Sequence, residues 1–304
     1  MAYSISNKET VSFVPEVTWG TTPATPNFQY VRYVSGSWKS DTSSTKSNEI
    51  TNSREVADHI RTQVKGSGSF NFELSYGNLD VLLQGLLGDT WSTNVLKVGS
   101  TKQSYTFERG FTDVSQFELY TGAIPSNLTI NVGIGKVIDG SISFMSKPGA
   151  ISGTTAASTT TAAPTNSVMN PIDSIQLMQE GGSGAIAGVV GFTMNLQNQV
   201  VEFPQLANIA VADLEIGEIA ASGTIDIYFQ DATYLTKYLA WTTTSLAFTL
   251  GGSSSLKYSF SFAKVKLSQA ETPNGGMNQP LITKFNWVAF KDSTDTTVKI
   301  TRTP

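Results

Sequence analysis

Gly68-Ser69-Phe70-Asn71-Phe72-Glu73-Leu74 leads into Leu79-Asp80-Val81-Leu82-Leu83. Further on, Gly223-Thr224-Ile225-Asp226-Ile227-Tyr228-Phe229 leads into Tyr234-Leu235-Thr236-Lys237-Tyr238-Leu239. Each block is a glycine, an alternating strand and a short apolar helix. Alternation of period two puts Phe70, Phe72 and Leu74 on one face and Asn71 and Glu73 on the other. Ile225, Ile227 and Phe229 alternate in the same way with Asp226 and Tyr228. The spacing of roughly 155 residues is too long for a solenoid unit and matches a domain. The expected fold is all-β with one short helix per domain, built as two tandem β-sandwich or barrel domains from an internal duplication.

Further landmarks recur in order. Tyr105-Thr106-Phe107 follows Gly99-Ser100, and Tyr258-Ser259-Phe260 follows Gly252-Ser253. The alternating set Leu128, Ile130 and Val132 is matched to Ile282, Phe285 and Trp287. Residues 1–27 carry Pro15, Pro23, Pro26 and Gly20, which argue against regular structure and predict an extended N-terminal arm. The first domain is expected over 28–148. The Ser/Thr/Ala-rich tract 149–167 reads as a linker, and the second domain as 168–304. Asn78 is the expected N-cap of a helix over 78–87, with Gly88 its stop. Long excursions at 40–63 and 197–219 each precede a glycine-led strand.

Composition narrows the function classes. Of 304 residues only 14% are charged, and the formal net charge is -4, so there is no basic field to trap phosphate. Cysteine is absent, which removes disulfides, zinc-thiolate sites and thiol nucleophiles. The start shows no basic cluster followed by an apolar run, and no stretch approaches the ~20 apolar residues of a membrane span. A soluble product made in the cytosol is expected.

No motif carries enzyme chemistry. His59 stands alone, without the neighbours a metal site needs, and reads as an exposed loop histidine. Gly133-Ile134-Gly135-Lys136 lacks the Walker spacing, with Val137 where Ser or Thr must hold magnesium, and reads as a turn between strands. Gly66-Ser67-Gly68 precedes a strand rather than a helix. The closest carboxylate pair, Glu215 and Glu218, falls in an expected loop. A single histidine can serve no triad. Neither catalysis, nor a cofactor, nor a metal is expected.

The order of segments carries a resemblance over essentially the whole chain. It runs from Pro15-Glu16-Val17-Thr18-Trp19-Gly20-Thr21-Thr22-Pro23 through the polar excursion, the glycine-led strand and helix, and Tyr105-Thr106-Phe107-Glu108-Arg109. Phe111-Thr112-Asp113-Val114, Tyr120-Thr121-Gly122, Leu128-Thr129-Ile130 and Gly140-Ser141-Ile142-Ser143-Phe144-Met145 follow, then Asn195-Leu196-Gln197-Asn198 and Thr297-Val298-Lys299-Ile300-Thr301-Arg302. This resembles the tail tube proteins of long, non-contractile phage tails, of the double-domain type. The resemblance implies a structural virion protein, assembled in the host cytoplasm into stacked rings that form a hollow tail tube. It also implies strands contributed to a continuous inner barrel. Its implied partners are other copies of the chain, a tape-measure protein and DNA in the lumen, and tail terminator and tail-tip proteins, with no membrane. Two folds per chain predict trimers with pseudo-six-fold symmetry. The alternative is a two-domain β-sandwich binding module, an adhesin or carbohydrate-binding protein, which the missing export signal disfavours.

Assembly roles follow for particular residues. Pro15, Val17, Trp19 and Pro23 in the arm are expected to touch neighbouring subunits, because a large aromatic in a segment with no core of its own needs a partner. Ile50, Val56 and Ile60 in the first excursion, and Phe203, Leu206, Ile209 and Leu214 in the second, are the expected ring-stacking contacts. Asn71, Glu73, Asp226 and Tyr228 are the expected lumen-facing residues, polar and partly acidic, over which DNA would slide.

Overall fold

Alternating β-branched and aromatic residues broken by Gly, Pro and Asn turns leave the chain little choice but strands, which must then find a partner layer. The computed structural model describes residues 3–182, 184–252, 255–293 and 295–304, with backbone only at 173–177. The first half runs β1 (Glu9–Pro15), β2 (Asn27–Tyr30), β3 (Ser35–Lys46), β4 (His59–Glu73), α1 (Asp80–Leu87), β5 (Val95–Lys97), β6 (Tyr105–Phe111), β7 (Gln116–Gly133), β8 (Asp139–Ser146) and β9 (Ala150–Ser152). After β10 (Thr159–Thr161) and α2 (Pro171–Ser174) come β11 (Ile175–Glu180), β12 (Gly184–Ala185), β13 (Val189–Asn198), β14 (Val201–Phe203), β15 (Asp213–Glu215) and β16 (Ile219–Tyr228). The chain ends with α3 (Thr233–Leu239), β17 (Thr244–Gly251), β18 (Lys257–Glu271), β19 (Ile282–Phe290) and β20 (Lys299–Thr303). The all-β expectation holds, with α1 and α3 where the two short helices were placed.

One antiparallel pairing pattern occurs twice. β1 pairs with β2 and β6, β6 with β7, β7 with β8 and β9, β8 with β4, and β4 with β3. β11 pairs with β12 and β17, β17 with β18, β18 with β19 and β20, β19 with β16, and β16 with β13. Even an irregularity recurs. The β7–β8 register shifts between Pro125 and Asn127, and the β18–β19 register between Leu267 and Gln269. At this corner each long strand leaves one sheet of its sandwich for the other.

This correspondence corrects the landmark matches. Tyr105-Thr106-Phe107 lies in β6, whose counterpart is β17, whereas Tyr258-Ser259-Phe260 lies in β18, the counterpart of β7. Leu128, Ile130 and Val132 lie in β7 and do not correspond to Ile282, Phe285 and Trp287 of β19. A period-two pattern specifies a strand but not which strand, so similar tripeptides align across non-equivalent elements.

Four local expectations also change. Residues 9–15 form a regular strand against β6, with Val11 and Phe13 buried, because apolar alternation outweighs a proline at the strand's end. Asn78 does not cap α1. Its Oδ1 accepts from the Arg32 backbone N–H and its Nδ2 donates to the Arg32 carbonyl, while Gly88 ends the helix in the left-handed region. The tract 149–167 is held on the first half by β9 against β7, by β10 against β2, and by Glu108, which accepts from Thr155 Oγ1 and the Ala156 N–H. Phe229, expected in the core, lies just past β16 and is exposed.

The two leading glycines have a common physical cause. A Cβ on Gly68 would sit 2.0 Å from the Trp38 ring, which is wedged among Phe107, Tyr120 and Phe144. A Cβ on Gly223 would sit 1.9 Å from the Thr193 carbonyl oxygen and 2.7 Å from the Trp287 ring. Each glycine lets an indole lie flat on bare backbone at the centre of its half. One apolar core runs through both. At its margin β5 of the first half extends the second half's sheet along β20. Asp295 bridges Lys97 and Lys299 there, and hydrogen bonding chiefly to Lys299 lowers its pKa to about 2.

Gly68→Ala should cost about 2–3 kcal/mol, since the locked indole cannot yield. Urea denaturation reads this directly, and an unchanged midpoint would remove the packing role assigned to this glycine.

Candidate assembly surface

The two halves join through backbone hydrogen bonds. β7 pairs antiparallel with β13 from Asn127↔Gln197 to Gly133↔Gly191. The result is one continuous sheet in the order β3-β4-β8-β7-β13-β16-β19-β18. Cross-strand neighbours point to the same face, so whole rows of one polarity cross the junction. One row reads Ser35, Asn71, Ser141, Thr129, Asn195, Ser222, and beyond these polar residues continues to Val288 and Lys266. The next reads Glu73, Asp139, Asn131, Thr193, Thr224, Asn286, Gln269. Between them lies an apolar row facing the core: Phe72, Gly140, Ile130, Met194, Gly223, Trp287.

The polar face is laced by side-chain hydrogen bonds. Asn71 Nδ2 donates to Ser35 Oγ at 2.8 Å, Asn131 Nδ2 to Asp139 Oδ1 at 2.9 Å, and Asn286 Nδ2 to Gln269 Oε1 at 2.9 Å. Across the junction itself Thr129 Oγ1 donates to Asn195 Oδ1 at 3.3 Å. The four residues expected in the lumen share this face of this sheet: Asn71 and Glu73 on β4, Asp226 and Tyr228 on β16. Asn71, Glu73 and Tyr228 are exposed. Asp226 is half-buried opposite Lys284, with its Oδ1 lacking a hydrogen-bond partner. Around the junction the face is amide and hydroxyl, and its charged groups lie away from the junction: Glu73 and Asp139 on one side, and Asp226, Lys284, Glu271 and Lys266 on the other.

The arm residues do not stand free. Glu16 Oε1 accepts from the Gly122 N–H and Thr106 Oγ1, and Oε2 from the Gly20 N–H and Ser104 Oγ, so one carboxylate pins residues 16–20 to β6 and β7. Trp19 Nε1 donates to the Gly122 carbonyl at 3.1 Å, and Lys147 Nζ lies 4.3 Å from its ring centroid. Trp19 therefore rests on its own chain instead of waiting bare, although it remains half-buried. Val17 is 96% exposed, Pro15 is exposed and Pro23 half-buried. The sequence signal that could have located the clamp is Glu16 itself, an acid amid an otherwise uncharged turn.

The two excursions differ. The first is the outer part of the β3–β4 hairpin, whose strands pair from Ser35↔Asn71 to Lys46↔His59 and are joined by a loop over 47–58. Ile50 is fully exposed beyond its paired part, and Val56 and Ile60 are about half exposed. The second excursion folds onto the chain. Val211 and Leu214 join Ile124 in a small buried core beside Trp19, so Leu214 is not free to touch a neighbouring ring. Phe203, Leu206 and Ile209 stay exposed. Polar ties hold the excursion down: Lys65 pairs with Glu202, and Lys102 bridges Asp213 and Glu215. Burial alone would lower the Lys102 pKa, but hydrogen bonds to the two carboxylates outweigh it and raise it.

Glu16→Gln replaces an acceptor by an amide donor facing N–H and O–H groups. The expected loss is about 1–3 kcal/mol, with faster proteolytic cutting within residues 15–26. Equal cutting rates for both proteins would show that the clamp does not hold the arm.

No helix among the described residues is long and apolar enough to cross a membrane. No curated protein sequence matches the chain. The family model described as phage tail tube protein matches residues 6–289, nearly all of the two-fold pairing pattern. The chain therefore belongs to the phage tail tube protein family, a structural component of the virion tail.

Proposed function

We propose that this protein polymerises into stacked rings, three chains to a ring, and that the rings form the hollow tube through which DNA reaches the host. The observation that carries this is the single sheet crossing the β7–β13 junction with one continuous polar, low-charge face. An internal duplication of one tail-tube-like domain, about 28–148 with β1 and β9 added and about 168–304, accounts for the repeated pairing pattern. Each chain then fills two of six equivalent positions. A wall of amides and hydroxyls suits a conduit for a polyanion. Ion pairs to phosphate would retard sliding, whereas Glu73, Asp139 and Asp226 repel the backbone at longer range.

The tape-measure protein would occupy the same lumen during assembly, and terminator and tip proteins would meet the two ends of the tube. The hairpin tip with Ile50, Val56 and Ile60, and the exposed Phe203, Leu206 and Ile209, are the ring-stacking candidates. Each would leave large apolar surface in water without a neighbour. Pro15, Val17, Trp19 and Pro23 form the arm surface offered to adjacent subunits.

Native mass measurement on isolated rings should give three chains, with tubes visible by electron microscopy. Six chains per ring would mean that each chain occupies one position. Replacing Glu73 and Asp226 by Lys should leave tubes intact and slow genome ejection. Ejection at an unchanged rate would detach these two residues from the channel.

A further inference from the structure

We propose that Asn274 is a self-modification site: the backbone nitrogen of Gly275 attacks the Asn274 side-chain amide, and the protein converts this asparagine to aspartate and isoaspartate without an enzyme. This chemistry belongs to the single chain and requires neither rings nor tubes.

Asn274 is the only asparagine in the sequence followed by glycine. It sits in the connection between β18 and β19, where residues 272–281 are all exposed. The following residue matters because its nitrogen is the nucleophile. Glycine, with no Cβ, lets that nitrogen swing toward the side-chain carbon. Gly275 lies outside the strands, and its N–H has no backbone partner among the described residues. Asn274 Oδ1 accepts from the Gly276 N–H at 3.1 Å. That bond turns the side chain back over the Gly275 peptide, as an Asx turn does. It also places a donor on the oxygen that gains negative charge when Cγ is attacked.

Other asparagines lack one part of this arrangement. Asn170 Oδ1 makes the same contact, to the Ile172 N–H at 2.9 Å, but Pro171 follows it and has no N–H to lose. Asn71, Asn131, Asn195 and Asn286 lie within paired strands, where the following backbone is held in the ladder. Asn166 precedes Ser167, and its Nδ2, the group that would leave, donates to the Tyr76 carbonyl at 2.9 Å.

A solvent base takes the Gly275 amide proton. The bond from Gly275 N to Asn274 Cγ forms, the Cγ–Nδ2 bond breaks, and Nδ2 leaves as ammonia with a proton from water. The product is a cyclic imide. Water then opens the ring at Cγ to give aspartate, or at the Asn274 main-chain carbonyl carbon to give isoaspartate. No electrons are exchanged, and water is the only co-reactant. Either product adds one negative charge to the formal -4, and isoaspartate lengthens the β18–β19 connection by one backbone methylene.

The test incubates the purified full chain at mildly alkaline pH, then maps its peptides by mass spectrometry with an isoaspartate-selective methylation. Isoaspartate at position 274 should accumulate about ten-fold faster than at Asn52 or Asn166, the asparagines followed by serine, while Asn170 stays intact. Ammonia release should match the conversion, and mildly acidic pH should slow both. Gly275→Ala should lower the rate about ten-fold, because the added methyl hinders the attack. That methyl would lie 3.4 Å from Gln279 Cβ, an ordinary contact, so the loop tolerates it. Direct hydrolysis of the side chain would give aspartate alone and would be indifferent to Gly275. Aspartate without isoaspartate, equal rates in the wild-type and Gly275→Ala proteins, faster conversion at Asn52, or an Asn274 that stays intact overturns the proposal.

Discussion

The pairing of β7 with β13 is the constraint on which the rest depends. Seven residue pairs from Asn127↔Gln197 to Gly133↔Gly191 turn two similar halves into one sheet. A sheet edge exposes unpaired N–H and C=O groups, and joining the halves satisfies one such pair of edges while fixing the faces on either side. A slip of one residue would move Leu128, Ile130 and Val132 from core to solvent, so the buried row on one face locks the polar row on the other. The polar face is thus a consequence of core packing as much as of its own residues.

Packing beneath that sheet explains where the sequence is glycine. Trp38 and Trp287 each lie against a glycine backbone, and aromatic neighbours hold them there: Phe107, Tyr120 and Phe144 in the first half, Phe192 and Phe262 in the second. The halves are further tied through α1. Asp80 at its start accepts from Tyr258 Oη and Arg302, and Arg302 stacks on Trp91 at 4.6 Å. Burial, followed by the Asp80 charge, raises the Tyr258 pKa, so the phenol remains a neutral donor to that carboxylate. These contacts connect the last strand to the first helix, which is why the two halves share a core.

Both long excursions carry apolar side chains, and leaving these in water costs free energy. The two excursions meet this cost differently. The β3–β4 hairpin extends as a two-stranded ribbon paired from Ser35↔Asn71 to Lys46↔His59, and its tip is polar apart from Ile50, Val56 and Ala57. The second excursion carries more apolar side chains and folds two of them, Val211 and Leu214, under itself against Ile124.

The sequence alone determined the all-β class, the two helices, most strands and the recurrence of a glycine-led strand with its helix, because period-two alternation and helical spacing are local signals. It also determined the polar set Asn71, Glu73, Asp226 and Tyr228, since alternation fixes which residues oppose the core. Only the tertiary structure decided which strands correspond. Tyr105 and Tyr258 look alike in sequence yet lie in non-equivalent strands, because register depends on partners distant in the chain. It also decided that Trp19 rests on Gly122, that Leu214 is buried and that residues 9–15 pair as a strand. Each of these rests on contacts across tens to hundreds of residues, and no local pattern encodes them.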